Sequence, residues 1–484
     1  METAIKPITN PKFSIKILSD RDIKDIHTAT LDIIQNTGVR FPSERALQIW
    51  SAHGAEVDPD SQIVKAKPDL IESAIAKAPP RYILGARQPD LDMPLDGNHV
   101  FLGTDGCGVE VIDIHSGQRR MSQLSDVRDI ARIADGTDDI AFNWVALSAQ
   151  DKPVETRGLH EIKTVWENSS KHVQTESIYN AAEAEAAMRM ALAVAGSEKN
   201  LREKPVLSLM QCSASPLGHD GGSLDAALIA GEFGVPAGFM TMASCLTTGP
   251  ATMAGTLAVG NAEVIAATAL LQLANPGAPV FYAAAQTASD PRTGVYTGGG
   301  PEDFLFGAAT NQLADFYDIP LSMGSFATGA KTPNWQAGID NSLSTLMACA
   351  AISDMLLGVG FLHGSRIWSY AQMQLDCEIF AIIRKMLQGI EVNQETLALD
   401  AITSVGPGGN FLGEKHTRAH MRDLFIPKFM DRRPYNEWED KGDNPPDWAL
   451  EKARSILSDH EPLPLEPAIS KELTGIIDSL EKDL

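Results

Sequence analysis

The sequence predicts an α/β protein built on a (β/α)8 TIM barrel, with an N-terminal helical and β cap and a C-terminal extension. Short apolar runs alternate with long, Ala-rich helical patterns, and strands that alternate with helices pair in parallel. Eight such units within about 300 residues fit a closed barrel. The predicted strands begin at Ile140, Lys171, Pro205, Val235, Pro279, Ile319, Met355 and Ala401.

An open, doubly wound sheet is the alternative architecture. Sheets of that kind that bind dinucleotides carry a GxGxxG turn after the first strand and an acidic residue downstream. The sequence has no such turn at that place. We therefore favour the closed barrel.

The cap is predicted over residues 1–120. An amphipathic helix begins at Ser19, and a second helix begins at Pro68, a residue that is favoured in the first helical turn. The segment from His99 to Arg120 has the pattern of a strand, a turn and a second strand. We expect this region to cover part of the barrel.

The barrel is predicted over residues 121–431 and the extension over residues 432–484. The extension is polar and contains prolines, with one helical pattern around Trp448 and another from Lys471 to the end. We interpret it as a surface element docked on the barrel. It also provides a surface for contact with another copy, and we expect a homo-oligomer.

The charge of the chain narrows its partners. Lys and Arg number 40 and Asp and Glu number 63, which gives a net charge of -23. Nucleic acids and anionic membranes are not expected partners, because phosphate binding needs a basic surface. A cationic small molecule is compatible with this charge.

The compartment predicted from the sequence is the cytoplasm. The five cysteines are scattered, without a CxxC pair, which indicates reduced thiols rather than disulfides. The N-terminus lacks the apolar run of a signal peptide. The longest apolar stretch, from Ala251 to Ala274, is interrupted by Asn261 and Glu263, so we expect no membrane span.

The active site of such a barrel lies where the strands end at their carboxyl side. Most residues at these positions have aromatic or amide side chains, such as Trp144, and Glu176 is also at such a position. They include no catalytic triad, no phosphate loop and no paired catalytic carboxylates. An aromatic and amide pocket suits a small cation held by cation–π contacts. His416 and His420 have the i, i+4 spacing of metal ligands, but we favour a structural role and predict no metal site.

Several segments resemble the trimethylamine methyltransferase family. They include GVRFPSERALQIW, DVRDIARIADG, GGGPEDFLFGAATNQLADFYDIP, AKTPNWQAGIDNS and GPGGNFLGEKHTRAHMRDLFIPKFMDRR. In the trimethylamine enzymes a pyrrolysine lies near the segment that matches AKTPNWQAG, whereas this chain has only standard residues there. The sequence therefore resembles the non-pyrrolysine branch, whose characterised members demethylate glycine betaine and related quaternary amines.

This resemblance implies transfer of a methyl group from a quaternary amine, with glycine betaine favoured, to the Co(I) of a corrinoid carried by a partner protein. No permanently bound cofactor is implied, since cob(I)alamin serves as the methyl acceptor. A quaternary nitrogen leaves as a neutral amine, so no general acid is needed, and we assign no catalytic residue. The implied substrate-binding residues are Trp335, His363, Phe326, Tyr282, Tyr296, Phe361, Lys331, Asn334, Gln336 and Arg366.

Two other functions are compatible with the same residues. One is a zinc-dependent methyltransferase on the same barrel, which would need Cys, His or Glu ligands such as His363, His416 or Cys377 to converge at the opening. The other is a non-catalytic barrel that binds betaine. Both remain alternatives at the level of the sequence.

Overall fold

A closed barrel of eight parallel strands forms the centre of the molecule in the computed structural model, which describes residues 3–106, 108–442 and 444–483. The last strand pairs in parallel with the first, through Met355 with Phe101 and Leu356 with Leu102, and this pairing closes the barrel. The strands are β1 (His99–Thr104), β2 (Ile140–Trp144), β3 (His172–Thr175), β4 (Leu207–Cys212), β5 (Ala237–Thr241), β6 (Val280–Ala284), β7 (Leu321–Gly324) and β8 (Met355–Val359).

A helix follows each strand and packs on the outside of the barrel, which confirms the predicted fold class. Left-handed glycines end two of these helices, Gly196 with φ +75° and Gly234 with φ +72°, where a side chain would be strained. The helices are α1 (Leu124–Asp135), α2 (Arg157–Asn168), α3 (Ala181–Ala195), α4 (Gly221–Phe233), α5 (Met253–Ala274), α6 (Pro301–Tyr317), α7 (Trp335–Ala351) and α8 (Tyr370–Leu387).

One helix, α5, is long and apolar enough to cross a membrane. Almost all of it is buried inside the protein; within it, Asn261 donates a hydrogen bond to Thr30 of the cap, and Glu263 accepts one from Thr241 of β5. It is therefore a core helix of this fold.

Two strand assignments from the sequence need correction. The run from His99 was assigned to a hairpin of the cap, but it forms β1, whose residues from Val100 to Thr104 are all buried. The run from Ala401 was assigned to the eighth strand, but it lies in a helix, Leu399–Val405, that has no buried residue. Its β-branched residues imitate a strand pattern. The strands and helices of the barrel thus extend from His99 to Leu387, not over 121–431.

The N-terminal cap packs on α5 and the helices beside it. Its helices are Asp20–Asp32, capped by Ser19, then Glu44–Ala52 and Pro68–Ile75. A turn of π-helix, Ile33–Thr37, ends the first of them at Gly38. A three-stranded antiparallel sheet, formed by Val39–Arg40, Glu56–Asp58 and Ile63–Lys65, completes the cap. Both helices predicted in this region are confirmed.

A short hairpin closes the amino-terminal end of the barrel. Its strands are Tyr82–Leu84 and Met93–Leu95, paired antiparallel. Leu84, Met93 and Leu95 pack with side chains of the barrel interior, Phe101 and Met355 among them. The hairpin thereby forms a floor beneath the interior side chains at the amino-terminal ends of the strands.

The C-terminal extension runs along the outside of the barrel. Its helices are Tyr435–Lys441, Pro445–Asp459 and Pro467–Asp483. The second packs on α8 and α1, and the third packs on α2 and α3. Both helical patterns predicted in the extension are confirmed.

A buried hydrogen bond between His460 and Asp135 fastens the extension to the barrel. His460, which follows the second helix of the extension, holds Asp135 with its Nε2 2.7 Å from the carboxylate Oδ2, and both side chains are fully buried. Burial acts to raise the pKa of Asp135, but the bond to His460 and the charge of Lys171 hold it below its usual value.

Candidate active site

The opening of the barrel lies above a layer of packed interior side chains. Phe142, Trp144, Met210 and Met240 belong to this layer. The indole ring of Trp144 lies directly against the backbone of Gly106, where a Cβ atom would come within 2.4 Å of the ring. The backbone after β1 can therefore cross the aromatic ring closely only because residue 106 is glycine.

Two buried carboxylates lie at this opening. Asp105 directly follows β1 and Glu176 directly follows β3, and alternation along each strand turns their side chains inward. Both carboxylates act electrostatically on the thiol of Cys212, at the end of β4. Its pKa is raised well above the ordinary value by burial and then by the charges of Glu176 and Asp105. The three groups thus share one site on the β1, β3 and β4 side of the opening.

Asp105 is held by hydrogen bonds that favour its charged form. The backbone N–H of Gly106 donates to its Oδ1 at 2.9 Å, and the side chain of Ser365 provides a second bond. Burial outweighs these bonds and raises the pKa of Asp105 to about 6. The group is therefore mainly ionised at neutral pH, in a place where water solvates it poorly. A carboxylate in that condition attracts a positively charged ligand.

The loops after β6, β7 and β8 form the opposite rim of the opening. The backbone N–H of His363 donates to the carbonyl oxygen of Ala330 at 2.8 Å, and that of Gly364 donates to Thr328 at 2.9 Å. Gly364 has φ +63°, and a Cβ atom there would be 2.8 Å from the ring of Tyr296. The three loops therefore contact one another and form a continuous rim.

Seven of the ten predicted binding residues lie on this rim. The ammonium of Lys331 donates to the carbonyl oxygen of Gly329, and the guanidinium of Arg366 lies 3.6 Å from Glu110. These side chains are exposed or half-buried, so they surround the opening rather than line its depth. The seven are Tyr296, Lys331, Asn334, Trp335, Gln336, His363 and Arg366.

Two of these seven have a role in building α7. The side chain of Asn334 caps this helix by accepting the backbone N–H groups of Gln336 and Ala337. Trp335 is the first residue of α7 and is 80% exposed, so its ring faces solvent on the rim. Its contact with a substrate ammonium group stays a prediction.

The other three predicted residues are buried in the core. The hydroxyl of Tyr282 donates to Asn261 on α5 at 3.0 Å, so the ring lies between the strand and the helix layer. Phe326 is fully buried in the same layer. Phe361 packs edge-on against Trp368, with ring centroids 5.3 Å apart. Position at a strand end predicted all three, but the direction of the side chain excludes them from the opening.

A small cavity lies behind the rim between β6 and β7. Its lining includes Gln286, Tyr296, Asp303, Ser325 and Ser344, and its volume is about 20 Å³. That volume accommodates a single water molecule but no organic cation. Burial raises the pKa of Asp303 to about 6. Tyr296 thus connects the rim with a polar interior site.

The sequence reasoning missed the carboxylate pair. Glu176 and Trp144 were recognised as strand-end residues, whereas Asp105 was not, because its strand had been assigned to the cap. The residues selected from the sequence therefore included one of the two carboxylates at the opening and not the other, and the absence of paired catalytic carboxylates stays a prediction. The signal was present as an acidic residue directly after each of two buried strands, in the segments FLGTDG and HVQTES.

Potential metal ligands are dispersed in the part of the chain that the structure describes. No group of three or more His, Cys, Asp or Glu side chains there is arranged to hold a metal ion. His416 contacts the carbonyl oxygen of Glu395, and Nδ1 of His420 lies 2.8 Å from Asp423. Four cysteines are free thiols, namely Cys212, Cys245, Cys349 and Cys377. Cys107 lies outside the described residues.

Comparison with known proteins identifies the family. The model of the family described as trimethylamine methyltransferase (MTTB) matches residues 1–484. The chain belongs to the trimethylamine methyltransferase family. Family membership and the barrel together make it a methyltransferase of the methylamine type.

Relatives cover nearly the whole chain. The trimethylamine methyltransferase of Desulfitobacterium hafniense (strain DSM 10664 / DCB-2) is 34% identical over 472 residues, which are 97% of this chain and 95% of that protein. The trimethylamine methyltransferase of Methanosarcina barkeri is 30% identical over 474 residues, 97% of this chain and 96% of that protein. The glycine betaine methyltransferase of Desulfitobacterium hafniense (strain Y51) is 31% identical over 478 residues, 98% of each.

A solved methyltransferase structure shares the fold. The monomethylamine methyltransferase of Methanosarcina barkeri aligns with a TM-score of 0.51 at 12% identity, covering 93% of this chain and 96% of that one. At this identity the likeness establishes the architecture and nothing about the substrate.

Proposed function

We propose that this methyltransferase transfers a methyl group from a quaternary ammonium compound, with glycine betaine favoured, to the Co(I) of a corrinoid carried by a separate protein. The observation that carries the proposal is the carboxylate pair at the opening of the barrel. Asp105 and Glu176 supply negative charge in a poorly hydrated place, which attracts a permanent cation. The relative from Desulfitobacterium hafniense that is named for glycine betaine supports the choice of substrate.

The rim supplies the complementary charge. Lys331 and Arg366 are cationic, and His363 lies in the same pair of loops. A betaine has an ammonium group at one end and a carboxylate at the other. We assign the ammonium to the inner carboxylates and the substrate carboxylate to the cationic rim, where charge-assisted hydrogen bonds are strongest.

The chemistry of a quaternary nitrogen fits a site without a general acid. The bond between nitrogen and the methyl carbon breaks with its electron pair remaining on nitrogen. The leaving group is dimethylglycine, whose nitrogen is then an uncharged tertiary amine. The electron pair of Co(I) forms the new bond to the methyl carbon and gives methyl-Co(III). No proton moves, and the protein's task is to orient the substrate and exclude water.

Standard residues at the segment AKTPNWQAG support the same assignment. Trimethylamine has an uncharged nitrogen at the moment of attack and needs activation, for which the trimethylamine enzymes carry a pyrrolysine. This chain has Trp335 and its neighbours in that segment, and Trp335 is exposed. We therefore propose that trimethylamine itself is not a substrate.

A spectroscopic assay tests the proposal. The protein is mixed with chemically reduced cob(I)alamin and one of glycine betaine, proline betaine, carnitine, γ-butyrobetaine or trimethylamine, and the absorbance of Co(I) is followed. We expect conversion to methylcobalamin with glycine betaine, with dimethylglycine detected by mass spectrometry, and none with trimethylamine. Absence of conversion with all four quaternary amines would contradict the proposal, and calorimetric binding of betaine without conversion would favour a binding protein instead.

A further inference from the structure

A short hairpin directly follows the last strand of the barrel, β8. Its strands are Phe361–Leu362 and Ile367–Ser369, which pair antiparallel. Residues 363–366 form the turn between them, and we call it the rim turn. The rim turn contains Ser365, whose side chain bonds the carboxylate of Asp105 at the opening. One loop of the rim therefore reaches the inner carboxylate site.

Three consecutive residues of the rim turn have a left-handed backbone. The φ angles are +56° at His363, +63° at Gly364 and +59° at Ser365. Residues other than glycine rarely adopt this region, and the strain that they carry there is concentrated at functional sites. The turn keeps a conformation that its own sequence does not favour, so its surroundings must hold it.

Neighbouring backbone holds the rim turn from two sides. On one side, the N–H groups of His363 and Gly364 donate to carbonyl oxygens of the loop after β7. On the other side, the strand Ile367–Ser369 pairs in parallel with Glu110–Ile112, which follows Asp105 in the chain. The rim turn and the segment that carries Asp105 are therefore joined through backbone hydrogen bonds.

A buried carboxylate on α8 fixes the start of the hairpin. Asp376 is fully buried, and its Oδ2 accepts the backbone N–H of Gly360 at 2.9 Å. Its Oδ1 accepts the side-chain N–H groups of Asn341 on α7 at 2.8 Å and of Gln372 at 2.7 Å. Gly360 has φ +93°, and a Cβ atom there would be 2.6 Å from the ring of Trp368. Packing and hydrogen bonds from two helices therefore determine the direction in which the hairpin leaves β8.

Asp105 depends on this arrangement because water reaches it poorly. Its side chain is buried, and its bonding partners are the backbone N–H of Gly106 and the side chain of Ser365. Burial raises the pKa of Asp105, and both bonds act in the opposite direction because they stabilise the ionised form. Loss of the bond from Ser365 should therefore make Asp105 harder to ionise.

We infer that Ser365 is a positioning residue for the proposed methyl transfer: held by the rim turn, its hydroxyl keeps Asp105 ionised and directed toward the opening, where the substrate ammonium binds. The inference rests on the proposed function for the identity of the ligand, but not for the contact between the two side chains. Besides Asp376, titratable side chains on the neighbouring elements are Glu110, Glu176, Cys212, Lys331, His363 and Arg366. All of them are retained when Ser365 is replaced, so a comparison with the wild-type protein isolates its hydroxyl.

Infrared titration of the ligand-free protein tests the contact. The band of the protonated Asp105 carboxyl group is identified as the one that the variant Asp105→Asn lacks, and its growth is followed as the pH is lowered. We expect a midpoint at about 6 for the wild-type protein. In Ser365→Ala it should be higher by roughly 0.5–1 pH unit, because one hydrogen bond to the charged form is lost. An unchanged or lower midpoint would overturn the inference.

The pH dependence of KM tests the consequence for binding. In Ser365→Ala we expect KM for glycine betaine to rise about two- to fivefold at about pH 6 and to stay near the wild-type value at about pH 8, where Asp105 is ionised in both proteins. A displaced loop would instead raise KM at both pH values alike, and that result, or no rise at the lower pH, would contradict the inference. If the wild-type protein converts no quaternary amine, the proposed function fails, whereas the infrared titration still decides the role of Ser365.

The matched control is Ser116→Ala. The hydroxyl of Ser116 also donates to an aspartate, Asp113, at 3.0 Å, in the turn between Glu110–Ile112 and Arg119–Met121. Its removal should leave the infrared midpoint and KM at their wild-type values. A midpoint shift equal to that of Ser365→Ala would mean that the effect does not arise from the contact with Asp105, and would count against the inference.

Discussion

Asp105 lies where a carboxylate can attract a cation, and burial of its charge lowers the stability of the folded state. Its ionised form is attractive to an ammonium group because burial removes competing water. In the proposed reaction this charge must not bind the substrate too firmly, since the nitrogen loses its positive charge as the methyl group departs. The carboxylate therefore stabilises the ground state at least as much as the transition state. Its contribution should appear in substrate affinity.

The variant Asp105→Asn tests this role. We expect KM for glycine betaine to rise about tenfold or more, equivalent to ~1.4 kcal/mol of binding, with kcat unchanged or slightly higher. In the wild-type protein KM should rise as the pH falls below about 6, because protonation removes the charge of Asp105. The Asn variant should lose this pH dependence.

The matched control for this variant is Asp113→Asn. Asp113 lies in the hairpin turn between the strands Glu110–Ile112 and Arg119–Met121, where its carboxylate pairs with Arg120. Its neutralisation should leave KM at the wild-type value. Equal KM values for Asp105→Asn and wild type, or a loss confined to kcat, would remove Asp105 from substrate binding.

Individual site residues were only partly predictable. The rule that active sites follow strand ends selected Tyr296, Lys331, His363 and Arg366, which the structure brings to one rim. It also selected Tyr282, whose hydroxyl contacts Asn261 instead. A pattern of apolar residues on a strand buried on both faces does not reveal which side chains point into the barrel, because both sets are hydrophobic. The register of each strand against its neighbours decides which side chains point inward, and that register is known only once the strands are paired.

At the level of elements, the contact between His460 and Asp135 joins the extension to α1. Nε2 of His460 is 2.7 Å from the carboxylate, and the backbone carbonyl of His460 accepts a bond from Arg132 at 2.6 Å. The other carboxylate oxygen of Asp135 accepts the hydroxyl of Ser169 and the N–H of Ser170. The side chain of His460 therefore completes the polar network around Asp135. Without it, one oxygen of this buried carboxylate would lose its hydrogen bond to the extension.

Replacement of this residue, His460→Ala, should destabilise the protein by about 3 kcal/mol, because it leaves a buried carboxylate without its partner. Thermal unfolding by calorimetry measures the loss, and hydrogen exchange should show faster exchange in the helix Pro445–Asp459. The control His115→Ala removes an exposed imidazole and should change the melting temperature little. Identical stability of the two variants would show that the contact does not fasten the extension.

Elements were more predictable than residues. Seven strands of the barrel, two of the three cap helices and two of the three extension helices follow from periodicity and capping residues, since long elements repeat their pattern several times. The error at β1 arose because a buried strand followed by a glycine-rich turn looks the same in a hairpin and at a barrel mouth. The error at Ala401 arose because an exposed helix of seven residues is too short to display a helical period.

For the whole molecule, buried carboxyl groups determine how stability varies with pH. Among the described residues, burial raises the pKa of eight of them, Glu263 and Asp315 included, so the folded state takes up protons well before the unfolded state does. Stability therefore rises as the pH falls through their folded pKa values. The pKa is about 6 for Asp105, Asp303 and Asp354, about 7 for Glu161 and Asp376, and about 8 for Glu183.

Two buried histidines oppose this trend only at lower pH. Burial lowers the pKa of His172 and His219 to about 4. Unfolded histidine takes up its proton near pH 6.5, so these residues reduce stability mainly below that value. Between pH 8 and 6.5 the carboxyl groups dominate.

The melting temperature should accordingly rise by roughly 2–4 °C between pH 8 and pH 6.5, given the unfolding entropy of a chain of this size. Calorimetry at constant ionic strength measures this. Glu183→Gln should flatten the dependence, whereas Glu185→Gln, on the exposed side of the same helix, should not. A melting temperature that falls over this interval would contradict the assigned direction of the pKa shifts.

The hairpin floor at Leu84, Met93 and Leu95 has a kinetic consequence. Because the hairpin covers the amino-terminal ends of the strands, we expect a ligand of this barrel to approach from their carboxyl ends. In the proposed reaction the quaternary amine and the methyl acceptor would share that approach, so the amine would bind first and dimethylglycine would leave after the acceptor. We therefore expect an ordered kinetic pattern, in which dissociation of the acceptor limits the turnover rate.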